Sequence, residues 1–226
     1  LIGNEGNNYL SGYAGDDILV AGIGKDSIRG GLGFDVLSYR NLTSAAVIDL
    51  ANWAGSSAVV ADDIRFNANQ PNSMDIEGYE GTNFNDTLRG AATGDVLLGG
   101  AGNDSLSGFA GDDALVGDLG NDTLDGGTGN DTIHGTTGRN LIYAGHGNDE
   151  VVDGDGSSVV HTGPGRNKIS LGGGNDTLHA GTGVNWVDPG TGAVVFVVAY
   201  GGVTHISQWE EGQVYDLTAW PKPPAL

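Results

Sequence analysis

A parallel all-β solenoid, two sheets of short strands wound coil upon coil, is the fold this sequence predicts. Three observations carry it. A nine-residue period runs through most of the chain, one position of that period is apolar in every copy, and glycine supplies 42 of the 226 residues. Glycine in a helix interior costs up to about 1 kcal/mol, so a helical bundle is excluded. The acids agree: 29 Asp and Glu stand against 9 Lys and Arg, for a net charge of -20. Of those acids 23 are Asp and only 6 are Glu. Glu favours helices, whereas Asp favours turns, caps and hard-cation sites. Such a charge argues against nucleic acid or an anionic membrane as partner and for divalent cations. With no cysteine there are no disulfides, thiolate zinc sites or cysteine nucleophiles. The longest apolar run, Ala193 to Tyr200, falls well short of the roughly 18 residues that span a bilayer, so no transmembrane segment is expected.

The period sets each element in turn. Residues Gly99 to Ser107 read GGAGNDSLS, followed by GFAGDDALV, GDLGNDTLD, GGTGNDTIH and GTTGRNLIY. With Gly99 as position one, the repeat runs without a gap over 81–197 as thirteen nonads, and four more occupy 3–38. Position eight is apolar in all seventeen, from Leu10 and Leu19 through Leu106 and Leu124 to Phe196. Position four is glycine except at Phe84 and Thr93, and position six is Asp in eleven copies. Asn8, Asn140, Asn167, Asn185, Ser158 and Val194 hold position six in the rest.

Positions seven to nine predict a short strand whose middle residue points inward. The preceding glycines form a tight turn, and the Asp ends the turn with a carboxylate. Two nonads make one coil of turn, strand, turn, strand, so nonads two apart stack on the same edge about 4.8 Å apart. Their carboxylates stack too, which is repulsive until neutralised. Calcium suits the gap, because it takes roughly six to eight oxygens from carboxylates and backbone carbonyls. The expected carbonyl donors are those of Gly15, Gly33, Gly99, Gly100, Gly102, Gly108, Gly111, Gly117, Gly120, Gly126, Gly127, Gly129 and Gly147.

This nonad resembles the RTX (repeats-in-toxin) family, whose GGxGxDxUx repeat is a calcium-binding β-helix motif. The resemblance implies a right-handed parallel β-roll, secreted or at the cell surface after type I export, that folds on binding Ca²⁺. It also implies a module without its own catalysis. Residues 35–50 and 76–90 are similar to the insertion of such arrays in secreted proteases and polysaccharide-modifying enzymes. Residues 194–217 look like the closing strands of serralysin-type proteases. The chain is thus expected to divide into a first block 1–38, an insertion with longer strands 39–80, a main array 81–197 and a cap 198–226. Because it opens inside a repeat, the chain is expected to be a segment of a longer protein, with its upstream domain as a partner.

Within that reading Glu77 falls on position six of a degenerate nonad, NSMDIEGYE. One edge of the main array then runs Asp86, Asp104, Asp122, Asn140, Ser158, Asp176, Val194. The other runs Glu77, Asp95, Asp113, Asp131, Asp149, Asn167, Asn185. In the first block Asp17 pairs with Asp35, and Asp26 with the weaker Asn8. About seven sites have two carboxylates, and Asn140 and Asp176 border half-sites.

Other motifs lead nowhere specific. Gly24-Lys25 lacks the rest of a phosphate loop, and no nucleophile elbow or HExxH is present. His161 and His179 are same-edge neighbours read as solvated imidazoles. Position three is too irregular for an ice-matching face. Carbohydrate binding, through Trp186 and Tyr143, is the alternative function. Val96, Leu98, Ala114 and Val116, with Ile18, Val20 and Val36, form an outward apolar patch that calls for a cover. Trp53, Ile64 and Phe66 of the insertion are the candidates, and a partner domain is the alternative. Ile206, Trp209, Val214, Tyr215 and Leu217 are expected to close the C-terminal end, with Pro221, Pro223 and Pro224 stopping further pairing.

Overall fold

The computed structural model describes residues 1–24, 26–49, 76–198 and 202–207. Every regular element among them is a strand, and every pairing is parallel. A ten-stranded sheet runs from Ile18–Val20 to Val203–Ile206, and an eight-stranded sheet from Val47–Asp49 to Val194–Val198. Tyr9–Ala14 and Ser27–Leu32 form a separate pair. Partners in the array are 18 residues apart, as in Leu97 with Leu115 and Leu106 with Leu124. Two nonads therefore make one coil, and the fold is the expected parallel β-solenoid.

The core follows from period two within each short strand. Leu19, Leu37, Leu97, Leu115, Ile133 and Val151 line one sheet, and Leu88, Leu106, Leu124, Ile142, Val160 and Leu178 line the other. All of them are buried, with Phe196 closing the second row. Each buried side chain of this size contributes about 1.5–3 kcal/mol. Some strands reach beyond positions seven to nine: Val96–Ala101 and Ala114–Leu119 continue through the first turn glycines.

Position four shows why glycine recurs. Gly129 has φ +137, and a Cβ there would press on the carbonyl oxygen of Gly111 one coil earlier. At Gly6 and Gly15, where no coil precedes, the same Cβ meets nothing within 4 Å. The demand for glycine thus comes from coil stacking as well as from backbone conformation.

The interruption lies between Val36 and Gly78 in the ten-stranded sheet. Val36 pairs with Gly78, 42 residues apart instead of 18, and Gly78 pairs with Val96, so the ten-stranded sheet crosses it without a break. Val47–Asp49 pairs with Thr87–Arg89. On the flanks of the 39–80 segment, Val47–Asp49 and Gly78–Glu80 each occupy the slot of a nonad strand. Of the outward patch, Val20 is buried, Val36, Val96, Leu98, Ala114 and Val116 are half-buried, and Ile18 is exposed. The proposed cover, Trp53, Ile64 and Phe66, lies outside the described residues. At the other end Val203–Ile206 joins the sheet beside Gly183–Asp188, and Trp209, Val214, Tyr215, Leu217 and the three prolines lie outside the described residues.

Truncating the core tests this packing. Leu124→Ala should lower stability by about 2–5 kcal/mol in saturating calcium, read from urea or thermal unfolding. A loss below about 1 kcal/mol would contradict a close-packed row at position eight.

Candidate metal centre

Position six forms a hydrogen-bonded ladder along each edge. In most of these acids the carboxylate Oδ1 accepts the backbone N–H of the position-six residue one coil earlier. Asp104 accepts from Asp86 at 2.8 Å, Asp122 from Asp104 at 2.8 Å, Asp113 from Asp95 at 2.8 Å and Asp131 from Asp113 at 2.9 Å. Asp149 accepts from Asp131 at 3.1 Å and Asp176 from Ser158 at 2.9 Å. The first block repeats this, Asp26 accepting from Asn8 at 2.8 Å and Asp35 from Asp17 at 2.9 Å. Glu77 extends the ladder across the interruption, its Oε2 accepting Asp35 N–H at 2.8 Å.

The second oxygen is the chemically unfinished one. Oδ2 of Asp26, Asp35, Asp104, Asp113, Asp122, Asp131, Asp149 and Asp176 is buried and accepts no hydrogen bond. A buried carboxylate oxygen in that state is costly unless a cation or proton answers it. The surroundings supply oxygen donors. A Cβ added at Gly99 would lie 2.5 Å from Asp104 Oδ2 and 2.9 Å from the Gly117 carbonyl oxygen, so both converge on one spot. At Gly81 the same point lies 2.5 Å from Asp86 Oδ2 and 2.5 Å from the Gly99 carbonyl. Gly90, with the Gly108 carbonyl, and Gly108, with the Gly126 carbonyl, repeat the geometry.

At position four the carbonyls of Gly15, Gly102, Gly111, Gly120, Gly129 and Gly147 each lie against the glycine one coil on. Gly33 is stacked over Gly15 in this way. At position two the Gly127 carbonyl lies against Gly145, and Gly100 stands over the Thr82 carbonyl. No group of three His, Asp or Glu side chains converges among the described residues, so carbonyls would provide most of a coordination shell. Anionic oxygens, carbonyls and no nitrogen or sulfur suit a hard cation such as Ca²⁺, and the residues present fit it.

Not every position six is equivalent. Asp86 directs Oδ1 to Ala46 N–H at 2.5 Å and Oδ2 to Thr82 N–H at 2.6 Å. Asp95 Oδ2 accepts Ala91 N–H at 2.7 Å. These two acids, the first of the main array, are answered by the protein itself. Asp17 is only half-buried, with Oδ2 beside Gly12. Asn140 caps Asp122 with Oδ1 at 3.0 Å and donates Nδ2 to Asp153 at 3.0 Å, so it offers no free oxygen. Asn167 caps Asp149 at 3.0 Å and donates Nδ2 to the Thr162 carbonyl at 3.2 Å and to Asn185 Oδ1 at 3.1 Å. There the amide supplies both the cap and a donor, and an Asn ladder replaces a cation.

Sequence reasoning missed three features. Ala46 lies in a nonad, 41–49, without glycine and without an acid at position six, recognisable only by its pairing. Asp153 sits at position one. Position five carries a second ladder: Asn85 accepts from Asn103 N–H at 2.7 Å, Asn103 from Asn121 at 2.8 Å and Asn121 from Arg139 at 2.8 Å. Its signal was the frequent Asn before Asp, which the nonad pattern left unexplained. The position-nine imidazoles also differ from expectation. His161 and His179 are half-buried and stack at 4.3 Å, and Tyr143 stacks on His161 at 4.8 Å. Parallel stacked rings direct their in-plane lone pairs away from any point between them, so this pair does not make a transition-metal chelate.

The RTX calcium-binding nonapeptide repeat matches residues 2–37, 89–124, 125–160 and 152–187, four copies that together span more than half of the chain. No curated relative matches it.

Burial pushes the carboxyls of Asp104, Asp113, Asp149 and Asp176 up to about 6, with neighbouring carboxylates adding to the shift. Asp122 and Asp131 are raised for the same first reason. A group whose pKa is raised on folding stabilises the fold when protonated, and that contribution is lost as pH rises through the folded value. In chelator, β structure should therefore be favoured near pH 4–5 and lost above about pH 6. In calcium the trend reverses, because protons compete for the same oxygens and the midpoint calcium concentration should rise as pH falls below about 6. Circular dichroism across pH, with and without chelator, reads both arms.

Proposed function

Because the chain belongs to the family of RTX calcium-binding nonapeptide repeats, we propose that it is a calcium-gated folding module of a larger exported protein. The calcium-binding solenoid is its structural role. The gating is carried by one observation, the column of buried carboxylate oxygens without partners. At a net charge of -20 with 42 glycines, the cation-free chain resists collapse by repulsion and by backbone entropy. Calcium, when bound, supplies positive charge to the orphaned oxygens. The chain's own part is to stack the turns so that Oδ1 holds the next coil while Oδ2 and the carbonyls face the ion. Modules of the extracellular kind bind at about 10⁻⁴–10⁻³ M, so calcium-poor cytosol leaves the chain open and the exterior folds it. In this reading the protein is secreted through a type I route, with 1–38 and 81–197 as metal-binding blocks and 198–226 as cap.

The expected outcome is little β structure in chelator at pH 7 and a cooperative gain on calcium addition, followed by circular dichroism. Full β structure in chelator at that pH, unchanged by calcium, would refute gating. Two substitutions separate ligand from filler. Asp113→Ala removes a carboxylate that has acidic neighbours on both sides and should raise the calcium midpoint several-fold. Asn185→Ala removes an amide from the Asn ladder and should cost about 0.5–1.5 kcal/mol with little change in midpoint. Equal shifts would show position six to be a turn former and not a ligand.

A second reading, an accessory surface for extracellular polysaccharide, is favoured by a groove of about 550 Å³ on the ten-stranded sheet. It is lined by Trp186, Lys168, Glu150, Asp188 and His205, among others. Trp186 is 45% exposed and stacks with His205 at 6.0 Å. An indole face beside charged groups suits a sugar ring and its hydroxyls. Acidic and neutral oligosaccharides should quench tryptophan fluorescence in the calcium-loaded protein, and Trp186→Ala should abolish the change. Binding that survives the substitution would remove this groove from consideration.

A further inference from the structure

The edge leading into the eight-stranded sheet loses its position-six acids at Asn140 and Ser158 and regains one at Asp176. Between them stands Asp153, at position one of the nonad that carries Ser158, where the earlier main-array nonads of this edge carry Gly81, Gly99, Gly117 and Gly135. It is 4% exposed. A Cβ at Gly135, one coil earlier, would press on Asp153 Oδ1 and lie 2.8 Å from Asn140 Nδ2, so the position-one carboxylate reaches the turn of the preceding coil.

Its two oxygens have different fates. Oδ1 accepts Asn140 Nδ2 at 3.0 Å, while Oδ2 is buried and accepts nothing. One coil on, Asp176 Oδ1 caps Ser158 N–H at 2.9 Å, and its Oδ2 is buried and also accepts nothing. Service as acceptor for Asn140 explains one oxygen of Asp153 and leaves the other two oxygens unanswered. We propose that Asp153, at a position where the nonad pattern has no acid, joins Asp176 and turn carbonyls in holding a hard divalent cation. The proposal rests on the calcium reading above. One further fact agrees with it: burial raises the Asp176 carboxyl and the charge of Asp153 raises it further, which places the two groups near each other. Oxygen-only donors select the calcium class over softer metals.

The test counts calcium ions bound per chain by equilibrium dialysis, on the full 226-residue chain. Asp153→Asn should bind one ion fewer than wild type, with a higher calcium midpoint for folding. An unchanged count overturns the proposal. Should Asp153→Asn fail to fold, the pair Asp153→Gly with Ser158→Asp decides. It moves the carboxylate to position six of the same nonad and should fold with the wild-type number of ions. A pair that folds with fewer ions, or does not fold, overturns the proposal. A wild-type chain that binds no calcium refutes the gating reading itself, whereas wild-type binding with an unchanged Asp153→Asn count refutes only this site.

Discussion

Everything in this molecule depends on the 18-residue coil laying identical turns one strand spacing apart. Parallel pairing in strict register places each position-six side chain directly over its neighbour, as the ladder from Asp86 through Asp104 to Asp122 shows. One oxygen ties the coils together. The other is buried in a column of like charge, and a low-dielectric column of carboxylates repels itself. Protons or cations in that column relieve the repulsion, which is the physical ground for the proposed calcium gating.

The array contains its own contrast. Where Asn167 and Asn185 replace Asp, the amide oxygen still caps the neighbouring coil and the NH₂ reaches an acceptor. An amide has both halves of what a carboxylate plus a cation supplies, without charge. The C-terminal turns on that edge thus need no ion at position six, whereas on the opposite edge of the same coils Asp176 Oδ2 is left unanswered. Asp86 and Asp95, answered by backbone N–H groups, separate the unanswered oxygens of the main array from those of Asp26 and Asp35 in the first block.

Much of this was legible beforehand because the nonad is a physical device before it is a motif. An apolar residue every nine positions predicts the two core rows, and the pairing of Leu97 with Leu115 is that arithmetic in space. Even Glu77, one methylene longer than Asp, was traceable through its place before Tyr79. What escaped notice lacked the device's markers. The strand at Val47–Asp49 belongs to a nonad in which Ala46 stands for Asp and Ser44 for Gly, so composition hid it. Position five carries Asn in several repeats, yet its ladder is visible only when the coils are stacked, since each bond spans 18 residues.

The sequence by itself determined the coil length, the inward row, the two edges and the list of acids that share them, because all of these follow from periodicity. The tertiary structure decided which oxygen of each acid is free. That depends on whether a backbone N–H lies within reach, as at Thr82 and Ala91, or does not, as at Asp104 and Asp113. It also decided that Asp153, outside the repeat's acidic position, joins the same buried column. Position in a period tells which residues meet; the number of donors around each atom tells what they still lack.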